Sequence, residues 1–225
     1  MDPALFYPLE TSGTEYQGEA TFPLSIVEAG TLHAPSGAVV VCDPFAYFVG
    51  LGRGLMYDIP AGDYPVRVTV AHPPAKEAVN AYLSIVFADA EVTSVEQILP
   101  HLDLDEIPLP GVSGYSGVSV DSGSVAVLDA AAAKAFAADT DVDTFTDYIH
   151  SDAPDGWFNL LRDPAHHRKD IANITLPDAK DAENMVLARS GWDSGLYPVI
   201  ASYDRQRNLV ALHIDFMVVG GYPYN

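Results

Sequence analysis

Two stretches of the chain carry side chains that could move protons or attack a substrate. Asp121-Ser122-Gly123 sets a carboxylate and a hydroxyl at one tight turn. A serine nucleophile needs a base within hydrogen-bond reach and donors for the oxyanion. The chain has no Gly-x-Ser-x-Gly elbow to supply that geometry, so a purely structural turn is the competing reading. His213 and Asp215 lie two apart on a strand and project from the same face, with Leu212, Ile214 and Phe216 on the other. As an exposed pair beside the Trp192-Asp193 turn they would form an acid–base or ligand-contact patch. A polar sheet face turned to solvent is the alternative. A hydrolytic site built from these parts would use Asp121, Asp193, His213 and Asp215 as its catalytic groups. Ser122, Trp192 and Tyr197 would line its pocket.

Other chemistries find little support. His166-His167 are neighbours on an extended segment and point apart, which makes them a poor metal pair. Asp139-Thr140-Asp141-Val142-Asp143 resembles the start of an EF-hand loop. The sixth position, which needs glycine, is Thr144, and the twelfth, which needs glutamate, is His150. Cys42 is the sole cysteine, so an intrachain disulfide and a cysteine-based zinc site are excluded; its apolar run, Val39 to Cys42, marks it as a small core residue. Asn173-Ile174-Thr175 matches a glycosylation sequon but has no secretion signal to accompany it. There is no P-loop and no Gly-x-Gly-x-x-Gly, and no metal or cofactor is expected.

These residues need strands and turns to hold them. Gly62-Asp63-Tyr64-Pro65-Val66 and Gly195-Leu196-Tyr197-Pro198-Val199 each follow a turn and open a strand, with Gly221-Tyr222-Pro223 as a weaker echo. They read either as convergent strand starts or as equivalent positions in a pseudo-symmetric sheet. Val66, Val68 and Val70 alternate with Arg67 and Thr69, the period of a half-buried strand, and Ala78 to Phe87 reads as its partner. Pro35-Ser36-Gly37 reads as a hairpin turn into strand 38–42, which Asp43-Pro44 ends. Ser94 with Glu96 and Gln97 predicts a short helix over 94–101. Stretch 102–118 reads as loop, and Val118 to Leu128 as one strand bearing a bulge. Asp129 caps an Ala-rich helix over 130–138; 143–150 is a second short helix, and 151–181 is charged loop. Strands 184–189, 196–203 and 209–219 predict an antiparallel meander. The fold expected is mainly β, an antiparallel sandwich or distorted barrel with two or three short helices. It forms one domain, with residues 1–29 as an arm before a core over 30–219.

In chain order, Gly30-x-Leu32 with Pro35-Ser36-Gly37 and Asp43-Pro44, Gly62-x-Tyr64-Pro65-Val66, Val120-Asp121-Ser122-Gly123, Ser190-Gly191-Trp192-x-x-Gly195-x-Tyr197-Pro198-Val199 and Ile214-Asp215-Phe216 resemble the bacterial domain of unknown function 4241 family. The resemblance covers roughly residues 25–220. It implies bacterial proteins, often encoded near polymorphic toxin and immunity genes, and it carries over no catalytic residue.

Charge narrows the partners. The 225 residues hold 31 Asp and Glu against 11 Lys and Arg, a formal net charge of −20. Such a surface repels phosphate backbones and anionic membranes, so neither nucleic acid nor membrane is an expected partner. A basic protein or a cationic small molecule is favoured, although solubility or life in high salt would also account for the charge. With no signal peptide and no apolar run long enough to span a bilayer, the expected location is the cytoplasm. Two functions follow: a non-catalytic binding protein, immunity-like toward a basic toxin, or a small-molecule hydrolase near the Trp192 turn.

Overall fold

The computed structural model describes residues 3–16, 18, 20–101, 116–177, 179 and 182–220. The expectations for 102–115 and for the Gly221-Tyr222-Pro223 echo lie outside them. The strands are β1 (Ser12–Thr14), β2 (Thr21–Ala34), β3 (Ala38–Cys42), β4 (Leu55–Asp58), β5 (Gly62–Ala71), β6 (Val79–Val86), β7 (Ser94–Gln97), β8 (Gly117–Val120), β9 (Ser124–Asp129), β10 (Ile171–Thr175), β11 (Asn184–Arg189), β12 (Gly195–Tyr203) and β13 (Leu209–Asp215). The helices are α1 (Pro44–Tyr47), α2 (Ala130–Asp139), α3 (Val142–His150) and α4 (Trp157–Arg162), with a 3-10 turn at Pro3–Leu5.

These strands form two antiparallel sheets. The larger runs β1-β2-β5-β6-β13-β12-β7, with β8 also paired to β12, and curls into a half-barrel. The smaller runs β10-β11-β9-β3-β4. The expected β-sandwich is therefore present, with a helical layer added outside it.

Alternation along the smaller sheet explains the three layers. Val39, Val41, Val125, Val127, Val186 and Ala188 face the larger sheet and meet Leu32, Val66, Val68, Leu83, Ile85, Leu212 and Ile214. The intervening Val40, Cys42, Ala126, Leu128, Met185 and Leu187 face the helices, where Phe48, Phe136, Phe145, Trp157 and Leu161 cover them. A strand buried on both faces needs an unbroken apolar run, and Ala38 to Cys42 is one. Burying each such side chain contributes about 1.5–3 kcal/mol relative to leaving it exposed. Cys42 is fully enclosed there, and burial pushes its thiol pKa up, as suits a core residue.

Several local expectations are corrected by pairing partners far away in sequence. Pro35-Ser36-Gly37 does not close a hairpin: β2 belongs to the larger sheet and β3 to the smaller. Strands 184–189, 196–203 and 209–219 do not form a meander, because β11 lies in the smaller sheet and only β12 and β13 pair. The stretch 118–128 is two strands in different sheets, broken at Asp121–Gly123. Segment 94–97 is not helical; it pairs with β12 as β7. The supposed loop 151–181 contains α4 and β10.

The helix caps are legible in the chain. Asp129 accepts hydrogen bonds from the Ala131 and Ala132 amides at the start of α2, and Asp141 accepts from Thr144 at the start of α3. Asp141 thus serves as a cap in the segment that resembles a calcium loop. Among the described residues no helix is long and apolar enough to cross a membrane, which says nothing about β-barrel proteins.

Candidate functional site

The two turns that drew attention in the sequence come together. Asp43, buried at the end of β3, is the hub beneath them. Its Oδ1 accepts from the amides of Phe45 (3.0 Å) and Ala46 (3.3 Å), capping α1. Its Oδ2 accepts from the amides of Asp121 (2.9 Å) and Ser122 (2.7 Å). The Ser122 hydroxyl donates to Oδ1 at 2.8 Å. One carboxylate therefore holds both the α1 start and the Asp121–Gly123 turn. The sequence marks Asp43 only as a strand end; the Asp-Pro pair, with proline in the first helical turn, is the signal that could have exposed the cap.

The second turn leans on the first. The Ser190 amide donates to the Gly123 carbonyl at 3.1 Å, and the Ser190 hydroxyl to the Asp193 carbonyl at 2.7 Å. Gly123 has φ +70°, and a Cβ there would run into Asp193 Oδ1. Glycine at this position keeps the two turns in contact. Tyr197, 5 % exposed, donates its hydroxyl to the Asp193 carbonyl at 2.8 Å and packs edge-on against Phe216.

Between these turns lies an open cleft of about 320 Å³, lined by Gly123, Asp170, Arg189, Ser190, Gly191, Trp192 and Asp193. Trp192 is 50 % exposed. Lys76, on the β5–β6 turn, lays its ammonium 5.3 Å from the indole centroid. Arg189 Nη1 donates to the Ser122 carbonyl at 3.1 Å. Asp170 and Asp193 both hold left-handed backbone, φ 75° and 111°, a conformation that aspartate tolerates better than most residues. Buried Asn80 ties this corner together by donating to the carbonyls of Asp170 (3.2 Å) and Arg189 (2.9 Å).

His213 and Asp215 share a face as expected, but that face is not exposed. It is the outer face of the larger sheet, and the N-terminal segment covers it: Phe6 packs edge-on against Tyr82 and His213, and the Leu9 amide donates to Thr69. His213 is 2 % exposed and sits between Ser84 Oγ (2.8 Å from Nδ1) and Ser202 Oγ (3.0 Å from Nε2). Desolvation pushes its pKa down to about 3, so the ring is neutral near pH 7. Asp215 Oδ1 accepts from the Met217 amide at 2.7 Å. Neither lines the cleft.

Of the sequence-predicted residues, Asp121, Ser122, Trp192, Asp193 and Tyr197 therefore meet at one corner, and His213 and Asp215 lie elsewhere. Asp170, Arg189 and Lys76 join that corner with no signal in their local sequence. Pairing of Ile171 with Ala188 brings Asp170 beside Arg189, which spacing along the chain does not reveal. Among the described residues, no three His, Cys, Asp or Glu side chains converge to hold a metal ion.

A family model described as protein of unknown function (DUF4241) matches residues 32–214, and the chain belongs to that family. No curated protein and no solved structure matches it in these comparisons.

Proposed function

For this member of the family, we propose a non-catalytic binding protein, immunity-like in character, that captures a basic protein partner on the face holding the Trp192 cleft. One observation carries the reading: most of the groups hydrolysis would recruit are already engaged in holding the fold. The Ser122 hydroxyl donates to Asp43, the Tyr197 hydroxyl donates to a backbone carbonyl, and His213 is sealed between two serines. The cleft presents carboxylates and the Trp192 indole beside the Arg189 guanidinium, and the carboxylates and indole suit recognition of a cation. The net charge of −20 would steer a basic partner toward the surface. A small-molecule hydrolase would have to work with Asp121 and Asp193, the candidate acids exposed on the two adjoining turns.

The test is capture of the products of adjacent genes by the tagged chain, followed by association rates across ionic strength. A basic product should bind, with its on-rate falling by about an order of magnitude between ~0.02 and ~0.5 M salt. No association with any adjacent product, or an on-rate indifferent to salt, would overturn the proposal.

A further inference from the structure

We infer that the Trp192 cleft is a receptor for a guanidinium group, the side chain of an arginine presented by the partner. The inference deepens the binding reading and rests on it for the partner's identity. Three observations support it.

First, the two carboxylates lining the cleft are uncommitted. Asp43, Asp129 and Asp215 each accept backbone hydrogen bonds, whereas the side-chain oxygens of Asp170 and Asp193 accept no hydrogen bond or ion pair among the described residues. Second, among the described residues no ion pair ties the cleft's own cation to them, although the Arg189 guanidinium and the Asp193 carboxylate both approach the Cβ position of Gly123. Arg189 donates to the Ser122 carbonyl and lies outside ion-pair distance of both carboxylates. Third, the indole face already accepts a cation. Lys76 occupies it from an exposed turn, and among the described residues no carboxylate within ion-pair distance holds that ammonium in place.

A flexible surface lysine on an exposed ring is a weak contact, and an incoming group can displace it. Guanidinium fits the vacated place better than ammonium. Its plane stacks on an indole while its fork of N–H donors reaches carboxylates at the edge, and it gives up its hydration more readily. The exposed Asp121 on the adjoining turn adds to the negative field.

The chain has two tryptophans, which makes a direct test available. Trp157 of α4 lies 3 % exposed in the core between the helices and the smaller sheet and serves as an internal reference for the Trp192 indole N–H in a proton–nitrogen correlation spectrum. Titration with N-acetyl-arginine amide should move the Trp192 resonance saturably and leave Trp157 in place. N-acetyl-lysine amide should act more weakly, and the neutral citrulline analogue should not act at all. Asp193→Asn and Asp170→Asn should each weaken the arginine probe by about tenfold, with the left-handed backbone preserved because asparagine also adopts it. Lys76→Ala should strengthen binding by removing the internal competitor. An unmoved Trp192 resonance, or an equal response to citrulline, would overturn the assignment. A basic partner that binds Trp192→Ala and Asp193→Asn as tightly as the parent would also sink it, while leaving the binding reading intact. Arginine-probe binding with no captured partner would support the cleft and count against that broader reading.

Discussion

At opposite corners of the larger sheet the chain uses one device twice. In Gly62–Val66 the Tyr64 hydroxyl donates to the Pro60 carbonyl at 2.7 Å, four residues back; in Gly195–Val199 the Tyr197 hydroxyl donates to the Asp193 carbonyl at 2.8 Å, again four back. Each ring stands edge-on to a phenylalanine, Phe87 for Tyr64 and Phe216 for Tyr197. Each glycine sits where a Cβ would press on its own tyrosine ring. Both corners carry the chain from the smaller sheet into the larger, β4 to β5 and β11 to β12. Each then opens a hairpin whose second strand carries one extra residue, Ala81 of β6 opposite Thr69/Val70 and Val210 of β13 opposite Ser202/Tyr203, and the hairpins join through β6 and β13. The repeat is thus a real pseudo-twofold of the sheet. The corners differ in what they carry. The first is a plain Pro60-Ala61 turn on which Tyr64 stays partly exposed. The second buries its tyrosine, is braced by the Asp121–Gly123 turn on Asp43, and bears the Trp192 cleft. One corner remains a connection; the other has been built up into a surface.

Removing that bracing should have the largest effect. Asp43→Ala strips acceptors from four amides and a hydroxyl around a buried carboxylate. The expected loss is about 3–5 kcal/mol, roughly 10 °C in Tm. Hydrogen exchange should quicken at 121–123 and 190–193 and stay unchanged at 60–66. A variant within about 1 kcal/mol of the parent, or one that loosens both corners alike, would break the asymmetry argued here.

How much of this could be read from the chain depends on the range of the interaction. The Ala-rich helix with its Asp129 cap, the alternating valines of β5 and the paired strand starts are local signals, and each produces the element expected. Ser94-Val95-Glu96-Gln97 carries a local helix-start pattern, yet tertiary pairing with β12 makes it a strand. Pro35–Gly37 and the segment from Gly191 to Ser194 are turns, as their residue types predict. Whether a turn reverses within a sheet or crosses to another is decided by packing that no turn residue encodes. The site divides in the same way. Trp192 beside Asp193 was visible, whereas Asp170 enters through strand pairing, and His213 is hidden by Phe6, some two hundred residues earlier.

The seam joining the two hairpins provides the next measurement. Ser84 of β6 stands directly opposite His213 of β13 in the register. The native ring's pKa lies near 3, against an ordinary 6.5. Below pH 6.5 the unfolded chain takes up a proton there that the folded chain refuses. Stability should therefore fall as pH drops from about 6.5 toward 3, by up to ~1.4 kcal/mol per pH unit from this residue, or about 2 kcal/mol by pH 5. His213→Gln should remove that slope in denaturant titrations between pH 6.5 and 5, above the range where carboxylates dominate. Equal slopes in parent and variant would mean that the seam is open to water.

The smallest effect tests the corners against each other. Tyr64→Phe and Tyr197→Phe delete the same hydroxyl from the same motif, but solvent reaches the first site and not the second. At Tyr64, water can take over the abandoned Pro60 carbonyl, so the cost should be within about 0.5 kcal/mol. At Tyr197, the Asp193 carbonyl keeps only the Ser190 hydroxyl, and the turn carrying the cleft loses its tie to β12; about 1–1.5 kcal/mol should follow. Equal costs would mean that burial does not distinguish the two tyrosines. A larger cost at Tyr197, together with weaker binding of the arginine probe, would tie the tyrosine lock to the placement of Asp193 and Trp192. The pair then separates what the motif does everywhere, which is to turn the chain between sheets, from what it does only at the second corner, which is to hold the cleft open.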